Sequence, residues 1–298
     1  MMKLAGIAAF VATAEAGSIS AASRRLGLAK SVVSERLAEL ERILGTRLIQ
    51  RTTRKLSLTE NGQTFLPRAQ RIVREANEAS AELAARSGKL AGPLRLSAPV
   101  SFGILHLAPA LTRFLQEHRD IDVSLELDDR FVDAAADGFD AVLRHGPVGD
   151  SRLIARRLAS SKRLLVASPA YLDEHGSPAS LAELEHHSGI LYSNREADWR
   201  FAVEGGSIVV RPKAALKVNN GLVMKEAALA GLGITLLPTF FVHDSIRAGA
   251  LQAIDVGAKA EGAELFITYP RDHGASAKIR ALADSLKKSF GDPPYWEF

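Results

Sequence analysis

Residues 21–62 read AASRRLGLAKSVVSERLAELERILGTRLIQRTTRKLSLTENG, and the glycines and apolar spacings in this stretch decide how the chain begins. Ser20 is placed to cap a short helix with Ala21, Ala22 and Leu26 on its inner side, Arg24 and Arg25 outside, and Gly27 as a stop. A turn of about three residues leads into a second helix over Lys30–Leu44, where Val33, Leu37, Leu40 and Leu44 repeat at helical spacing and Gly45 ends the run. Two helices so joined form a helix-turn-helix, whose second helix offers its first turns to base edges in the major groove. Arg47–Gln50 and Leu56–Leu58 can then pair as short strands around a cationic tip with Arg51, Arg54 and Lys55. Such a hairpin beside a recognition helix is a wing that meets phosphates and the minor groove.

Working outward, Leu4, Ile7, Ala8, Val11 and Ala14 fall on one stripe of an amphipathic helix, although the same stretch also passes as a signal peptide with small residues at Ala12, Ala14 and Ala16. Periodicity leaves both open. On the other side, Thr59 can cap a long helix that carries Glu60 at its positive end. Phe65, Ala69, Ile72, Ala76, Ala79 and Leu83 are spaced alternately four and three residues apart, a narrow coiled-coil seam over 60–86 that calls for a partner helix. A dimer built on it would carry two recognition helices to a two-part DNA site.

The chain has 298 residues, 47% hydrophobic and 24% charged, without cysteine. That length allows about two domains with real cores and excludes general disorder. The absence of cysteine excludes a disulfide framework and fits a cytoplasmic protein. No apolar run reaches the ~20 residues of a membrane span. The net charge of +4 is uneven: residues 1–90 carry +7 and the rest −3. A basic head of this kind points to a polyanion, with nucleic acid the first choice.

Ser87–Pro93 has linker composition. Beyond it, strand-like runs at Leu94–Ala98, Asp122–Leu127 and Asp140–Arg144 alternate with helix-like runs at Leu105–Glu117 and near Val132–Asp137, which predicts a mostly parallel α/β sheet. A second series runs through Leu164–Ala167, Gly189–Tyr192, Lys217–Asn219 and Gly233–Leu237, while strand Glu264–Tyr269 and helix Ser276–Phe290 return to the first sheet. Ligands of such folds bind beyond the carboxyl ends of strands. The loops there contain Pro99, Val100, Ser101 and Phe102, then Arg144 and His145, Asn219 and Asn220, and Pro238. Ser101 and Asn219 can bond an effector's oxygens, and Arg144 or His145 can balance an anion. No metal-ligand spacing occurs among the histidines, His186-His187 being a polar loop pair. Gly231-Leu232-Gly233 precedes a strand and lacks the third glycine of a dinucleotide fingerprint, and nothing in the spacing assembles a nucleophile with a base.

The stretch quoted above resembles the winged helix-turn-helix of the LysR-type transcriptional regulators in order, spacing and segment length, and the resemblance covers the whole chain. It implies a mixed fold: a winged DNA-binding domain at 1–59, a linker and dimerisation helix at 60–86, a hinge at 87–92, and an α/β effector-binding domain at 93–298. That last domain would be built like type 2 periplasmic binding proteins, with subdomain I at about 93–163 and 265–298 and subdomain II at about 164–264. The resemblance places DNA contacts at Lys30, Ser31, Ser34, Glu35 and Arg36, with Arg51 and Arg54 from the wing, and the effector contacts at the loop residues already named. The chain departs from the family at Ala29, where a capping Ser or Thr is usual, and at Glu35, where a cation or Gln is common. A carboxylate there can accept from cytosine N4 or turn aside into an ion pair. The implied partners are promoter DNA, a second copy of the chain in a dimer and then a tetramer, and RNA polymerase, with a small-molecule effector and no cofactor or metal. Two other readings compete: a secreted solute-binding protein, which leaves 18–86 without a role, and an enzyme with an unrecognised site. The role of the aromatic tail Tyr295-Trp296-Glu297-Phe298 stays open.

Overall fold

The computed structural model describes residues 1–51, 56–86, 90–130, 137–146, 152–194, 199–271 and 276–297, with the side chains of 51, 78 and 81–86 left aside. The chain divides into two compact units, one chiefly Met1–Gly92 and the other Pro93–Ala134 with Phe139–Phe298.

The first unit runs α1 (Leu4–Ala16), α2 (Ile19–Leu26), α3 (Lys30–Leu44), β1 (Ile49–Arg51), β2 (Leu56–Leu58) and α4 (Glu60–Arg86). Helix α1 is buried over more of its circumference than a single stripe. Ala9 and Ala12 pack with Ala22 and Val33, while Ile7, Phe10 and Val11 pack with Leu37, Leu40, Leu48, Ile49 and Ala69. Leu4, expected on the buried stripe, is instead exposed. Each large side chain so buried stabilises the head by roughly 1.5–3 kcal/mol, which makes this stretch a core helix of the unit. Ser18, not Ser20, caps α2: its Oγ accepts from the Ala21 N–H at 3.1 Å. The helix starts early because Ser18 is extended, so Ser20 lies inside the first turn and its carbonyl accepts from Ser23 Oγ. Gly27 closes α2 in the left-handed region at φ 64°, as a helix stop requires.

Helix α3 occupies the expected span without a side-chain cap at Ala29, and its hold on the unit comes from buried Val33, Leu37 and Leu40. The first hairpin strand begins at Ile49 rather than Arg47. The reason is Glu41, whose Oε1 accepts the Leu48 and Ile49 N–H groups at 2.8 and 3.0 Å and so fixes where the chain leaves the helix. Strands β1 and β2 pair antiparallel, Arg51 opposite Leu56. Thr59 Oγ1 caps α4 by accepting from Gly62 N–H at 3.0 Å. The predicted seam divides. Ala69 is buried in the unit's own core, Phe65 and Ile72 pack against it, and the Phe65 ring sits 5.7 Å from that of Phe10. A partner helix is therefore not needed to explain the seam's first half. Further along, Ala76 is half-buried and Ala79 exposed, and the Leu83 side chain lies outside the described residues.

The second unit continues β3 (Gly92–Ala98), α5 (Val100–Phe102), a π-helical turn (Gly103–Leu107), α6 (Ala108–Glu117), β4 (Ile121–Leu127), β5 (Ala141–His145), β6 (Leu153–Ala159), β7 (Arg163–Ala167) and α7 (Pro169–His175). There follow β8 (Ser188–Tyr192), β9 (Arg200–Val203), β10 (Gly206–Val209), β11 (Lys213–Val218), α8 (Gly221–Leu229), β12 (Ile234–Pro238) and α9 (Thr239–Arg247). The chain ends with β13 (Gln252–Ile254), β14 (Lys259–Ala260), β15 (Leu265–Pro270) and α10 (Ala277–Phe290). One five-stranded sheet has the order β4-β3-β5-β15-β6, the other β11-β8-β12-β7-β13, and a small sheet has β10-β9-β14.

These sheets are mixed, not mostly parallel. Strands β3 and β5 pair parallel, as do β11 and β12 with β8, but β15 runs antiparallel to both β5 and β6, and β7 antiparallel to β12 and β13. The helix predicted from Leu105 begins at Val100, five residues earlier. Pro109 has no N–H to give Leu105, and the Ala108 N–H reaches back to the Gly103 carbonyl, so the ladder widens into the π turn. The helix expected near Val132–Asp137 lies, but for Asp137, outside the described residues.

Gly62 meets the residue just ahead of β1 so closely that a Cβ would stand 2.0 Å from the Leu48 carbonyl oxygen. Gly62→Ala should therefore lower stability by about 1–3 kcal/mol or more, read as a drop in the urea midpoint of the first transition. An unchanged midpoint would show that the Leu48–Gly62 approach can relax.

Candidate functional site

Two surfaces gather the predicted residues. On α3, Lys30, Ser31 and Glu35 are exposed and Ser34 and Arg36 half-buried, all within the first two turns. With no side chain capping these turns, their N–H groups and the helix dipole add positive potential to that of Lys30. Glu35 makes no ion pair or hydrogen bond among the described residues, and its neighbour Glu39 is taken by Arg42 in a two-point pair at 2.8 Å. That pair holds the Glu39 carboxyl below its usual range. Arg51 has its backbone in β1 while its side chain lies outside the described residues, as does the whole of Arg54.

In the second unit a cavity of about 530 Å³ lies where loops from both five-stranded sheets meet. Seven of the nine residues expected there line it: Pro99, Ser101, Phe102, Arg144, His145, Asn219 and Pro238. Val100 and Asn220 do not. Val100 gives its N–H to Asp129 Oδ1 at 2.9 Å, and Asn220 caps α8, its Oδ1 accepting from Leu222 N–H at 3.0 Å. Both serve the wall instead of facing the space, as loop residues at helix starts commonly do. Their shared partner Asp129 also accepts from Asn220 Nδ2 at 3.3 Å, and its carbonyl accepts from Asn194 Nδ2, so one aspartate joins loops of the two sheets.

Ser101 is buried at 3% exposure, and its Oγ has no hydrogen-bond partner among the described residues. A buried hydroxyl left so costs about 1–3 kcal/mol, a cost that a ligand oxygen would remove. Asn219 is exposed at the rim. The apolar wall is formed by Phe102, Phe240, Phe241 and Met224. Phe102 stands edge-on to Phe240 at 5.3 Å, and His145 stacks on Phe240 at 4.7 Å.

His145 does not serve as a cation at neutral pH. The residue keeps some accessible surface, but both ring nitrogens are shut off from solvent, and burial pushes its pKa down to about 4. The Ala263 backbone pulls weakly the other way without making a full hydrogen bond to either nitrogen. Arg144, Arg163 and Arg130 remain as the cavity's cations, with Arg130 paired to Asp128. Behind the wall, burial likewise pushes His106 down to about 4. Its Nε2–H donates to the Phe240 carbonyl at 3.0 Å, so Nδ1 accepts from the Tyr295 hydroxyl at 2.5 Å.

Sequence reading missed Asp128, Asp129, Tyr192, Phe240 and Phe241 as lining residues. The signal was present for most of them, since they sit one to three residues past the ends of β4 and β12 or, for Tyr192, at the end of β8, where the strand-end rule applies. Among the described residues no cluster of His, Asp and Glu could hold a metal, and no helix is long and apolar enough to cross a membrane.

His106 and His145 make stability depend on pH with a definite sign. Unfolded, each takes a proton near pH 6.5; folded, each resists until about 4, so the unfolded state binds more protons between those values. Stability is then full above pH 6.5 and falls as pH drops toward 4, by up to about 1.4 kcal/mol per unit for each group. Urea unfolding at pH 7.5, 6 and 5 should show this loss, and His145→Phe should flatten it. An equal slope in the variant would mean that His145 takes up its proton at the same pH in the folded and unfolded chain.

The comparisons with known proteins agree with this geometry. Residues 4–63 match the model of the bacterial regulatory helix-turn-helix protein, lysR family, and residues 87–291 match the LysR substrate binding domain. The chain is 32% identical over 291 residues to the transcriptional regulator PtxR of Pseudomonas aeruginosa, covering 96% of this chain and 93% of that one. It superposes on the structure of CrgA, a LysR-type transcriptional regulator from Neisseria meningitidis, with TM-score 0.60 and 30% identity over 95% of this chain and 98% of that one. The full-length Vibrio cholerae virulence activator AphB gives TM-score 0.60 at 26% identity, covering 96% and 99%. None of these relatives supports the solute-binding reading, and the helix-turn-helix match takes in the basic residues that it leaves without a role. With a helix-turn-helix at one end, a substrate-binding fold at the other and full-length relatives of the same order, the chain belongs to the LysR-type transcriptional regulators, which bind DNA and are not enzymes.

Proposed function

We propose that two copies of this chain, paired through the outer half of α4, read a two-part promoter site, and that a small molecule in the cleft alters the geometry of the pair. Lys30, Ser31, Ser34, Glu35 and Arg36 face base edges and phosphates, while Arg51 and Arg54 of the wing hold the flanking backbone and minor groove. The exposed Glu35, free of any ion pair among the described residues, supports its use as an acceptor for cytosine N4. The effector contacts are Ser101, Asn219 and Arg144, with Pro99, Phe102, His145 and Pro238 shaping the space and Val100 and Asn220 fixing the loops. The observation that carries this part is the unpartnered, buried Ser101 Oγ in a cavity of a ligand's size.

An effector shifts the equilibrium between two arrangements only by its difference in affinity for them. A tetramer formed from two such dimers, contact with RNA polymerase at the promoter, and a cytoplasmic location complete the reading. It needs no cofactor or metal beyond the effector.

A nuclease footprint on the DNA upstream of the chain's own gene tests the proposal. Protection in two patches separated by one or more helical turns is expected; no protection, or a single patch, contradicts it. Selection from random DNA then sorts the residues. Ser34→Ala should relax preference at one base position by about 1–3 kcal/mol, whereas Arg54→Ala should weaken all sequences alike. Uniform weakening by Ser34→Ala would remove that residue from base readout.

A further inference from the structure

The second unit's two five-stranded sheets are joined by the chain at two places, residues 160–162 between β6 and β7 and residues 261–264 between β14 and β15. The C-terminal tail lies on the first of these. Trp296 is fully buried, and its indole N–H donates to the Ser160 carbonyl at 3.0 Å. Glu297 Oε1 accepts from the Lys162 N–H at 2.7 Å and from Thr239 Oγ1 at 2.6 Å, and Oε2 stands 3.3 Å from the Lys162 ammonium. Thr239 opens α9, which follows β12 of the second sheet, while Tyr295 holds His106 of the π turn beside the first. Three consecutive tail residues thus grip both sheets and one strand of the connection, with the Glu297 carboxylate 6% exposed at the centre.

We propose that Tyr295-Trp296-Glu297 is a hinge lock, which sets the angle between the two sheets and has to release before the cleft between them opens. The carboxylate is the latch. A charged acceptor shared by a backbone N–H and a hydroxyl makes stronger hydrogen bonds than neutral pairs do, and here the carboxylate is carried on the tail of α10, which packs on β6 of the first sheet, while both donors stand at the start of β7 and α9 on the second sheet's side. Trp296 supplies the seat, packed 5.2 Å from Phe290 and 4.9 Å from His106. The chain therefore carries its own restraint on the motion through which an effector would act. The lock draws its purpose from the effector reading of the cleft, but its test needs no ligand and can fail while that reading stands.

Because the chain has no cysteine, Glu117→Cys and Glu204→Cys, both at exposed positions on opposite sides of the pivot, accept spin labels at those sites alone. Labelled full-length chains are diluted with unlabelled ones, so that only distances within one chain are read. The intact tail should give one narrow distance distribution. Glu297→Gln, which takes away the charge but leaves an acceptor oxygen, and Thr239→Val, which takes away one donor, weaken the latch with little change of shape and should each raise the population of a second distance about tenfold, as loss of a charge-assisted hydrogen bond implies. A chain ending at Asp292 should show that second distance as the main one. If the truncated chain fails to fold, the two side-chain variants decide. Distributions unchanged in both variants would overturn the lock.

Discussion

A backbone hydrogen bond, the Ala263 N–H donating to the Ser161 carbonyl at 2.8 Å, ties together the two connections on which the ligand-binding unit turns. Its consequences run outward. Lys162 and Thr239 continue the same bonding, the Thr239 N–H donating to the Lys162 carbonyl at 2.8 Å, so the start of α9 is fixed to the pivot. On the other side, Gly146 donates to the Glu264 carbonyl at 3.0 Å and sets where β5 stops and His145 faces. Gly262 and Ala263 themselves line the cavity. A ligand there would lie against the pivot, where a small change of angle moves the far ends of both sheets by the largest amount. Hinges of this kind absorb a domain closure in a few residues at element ends.

The DNA-reading unit depends on a different constraint. Its recognition helix has no side-chain cap, which forgoes about 1 kcal/mol, and its position is set by apolar packing instead. Helix α1 lies between two clusters, with Ala9 and Ala12 toward α2 and α3 and Phe10 and Val11 toward the hairpin and α4. Glu41 and Gly62 then fix where the chain enters the wing, one by taking the Leu48 and Ile49 N–H groups and the other by offering no side chain where Leu48 passes. The residues proposed to face DNA are thereby freed from structural duty. Lys30, Ser31 and Glu35 are exposed because Val33, Leu37 and Leu40 do the holding.

How much of this was legible in the sequence varies with the range of the forces involved. Local signals read well: Gly27 and Gly45 end their helices, Thr59 caps α4, and α3 spans Lys30–Leu44 as its periodicity predicts. Errors arose where a distant group decided. Glu41 moved the start of β1, the missing N–H of Pro109 let α5 and the π turn run on into α6, and β15 joined its sheet antiparallel, a matter of chain return that no local pattern encodes. The heptad spacing of α4 was real, yet spacing does not say which partner an apolar face meets, and Phe65 and Ala69 meet their own core. In the cleft, strand-end loops located most of the wall, while the protonation of His145 depended on burial that its sequence neighbours do not reveal. The aromatic tail, unassigned from sequence, lies on the connection because Trp296 finds its seat and the Glu297 carboxylate its donors only in the folded unit.

The account rests most of all on the basic head binding DNA through its phosphates. Fluorescence anisotropy with a labelled promoter fragment, titrated from 50 to 200 mM salt, measures that directly. Each neutralised phosphate releases counterions, so log affinity should fall linearly with log salt, with a slope of about −0.9 per contact and a total loss on the order of 1,000-fold or more for six or more contacts. An affinity that does not change across this range would contradict the account.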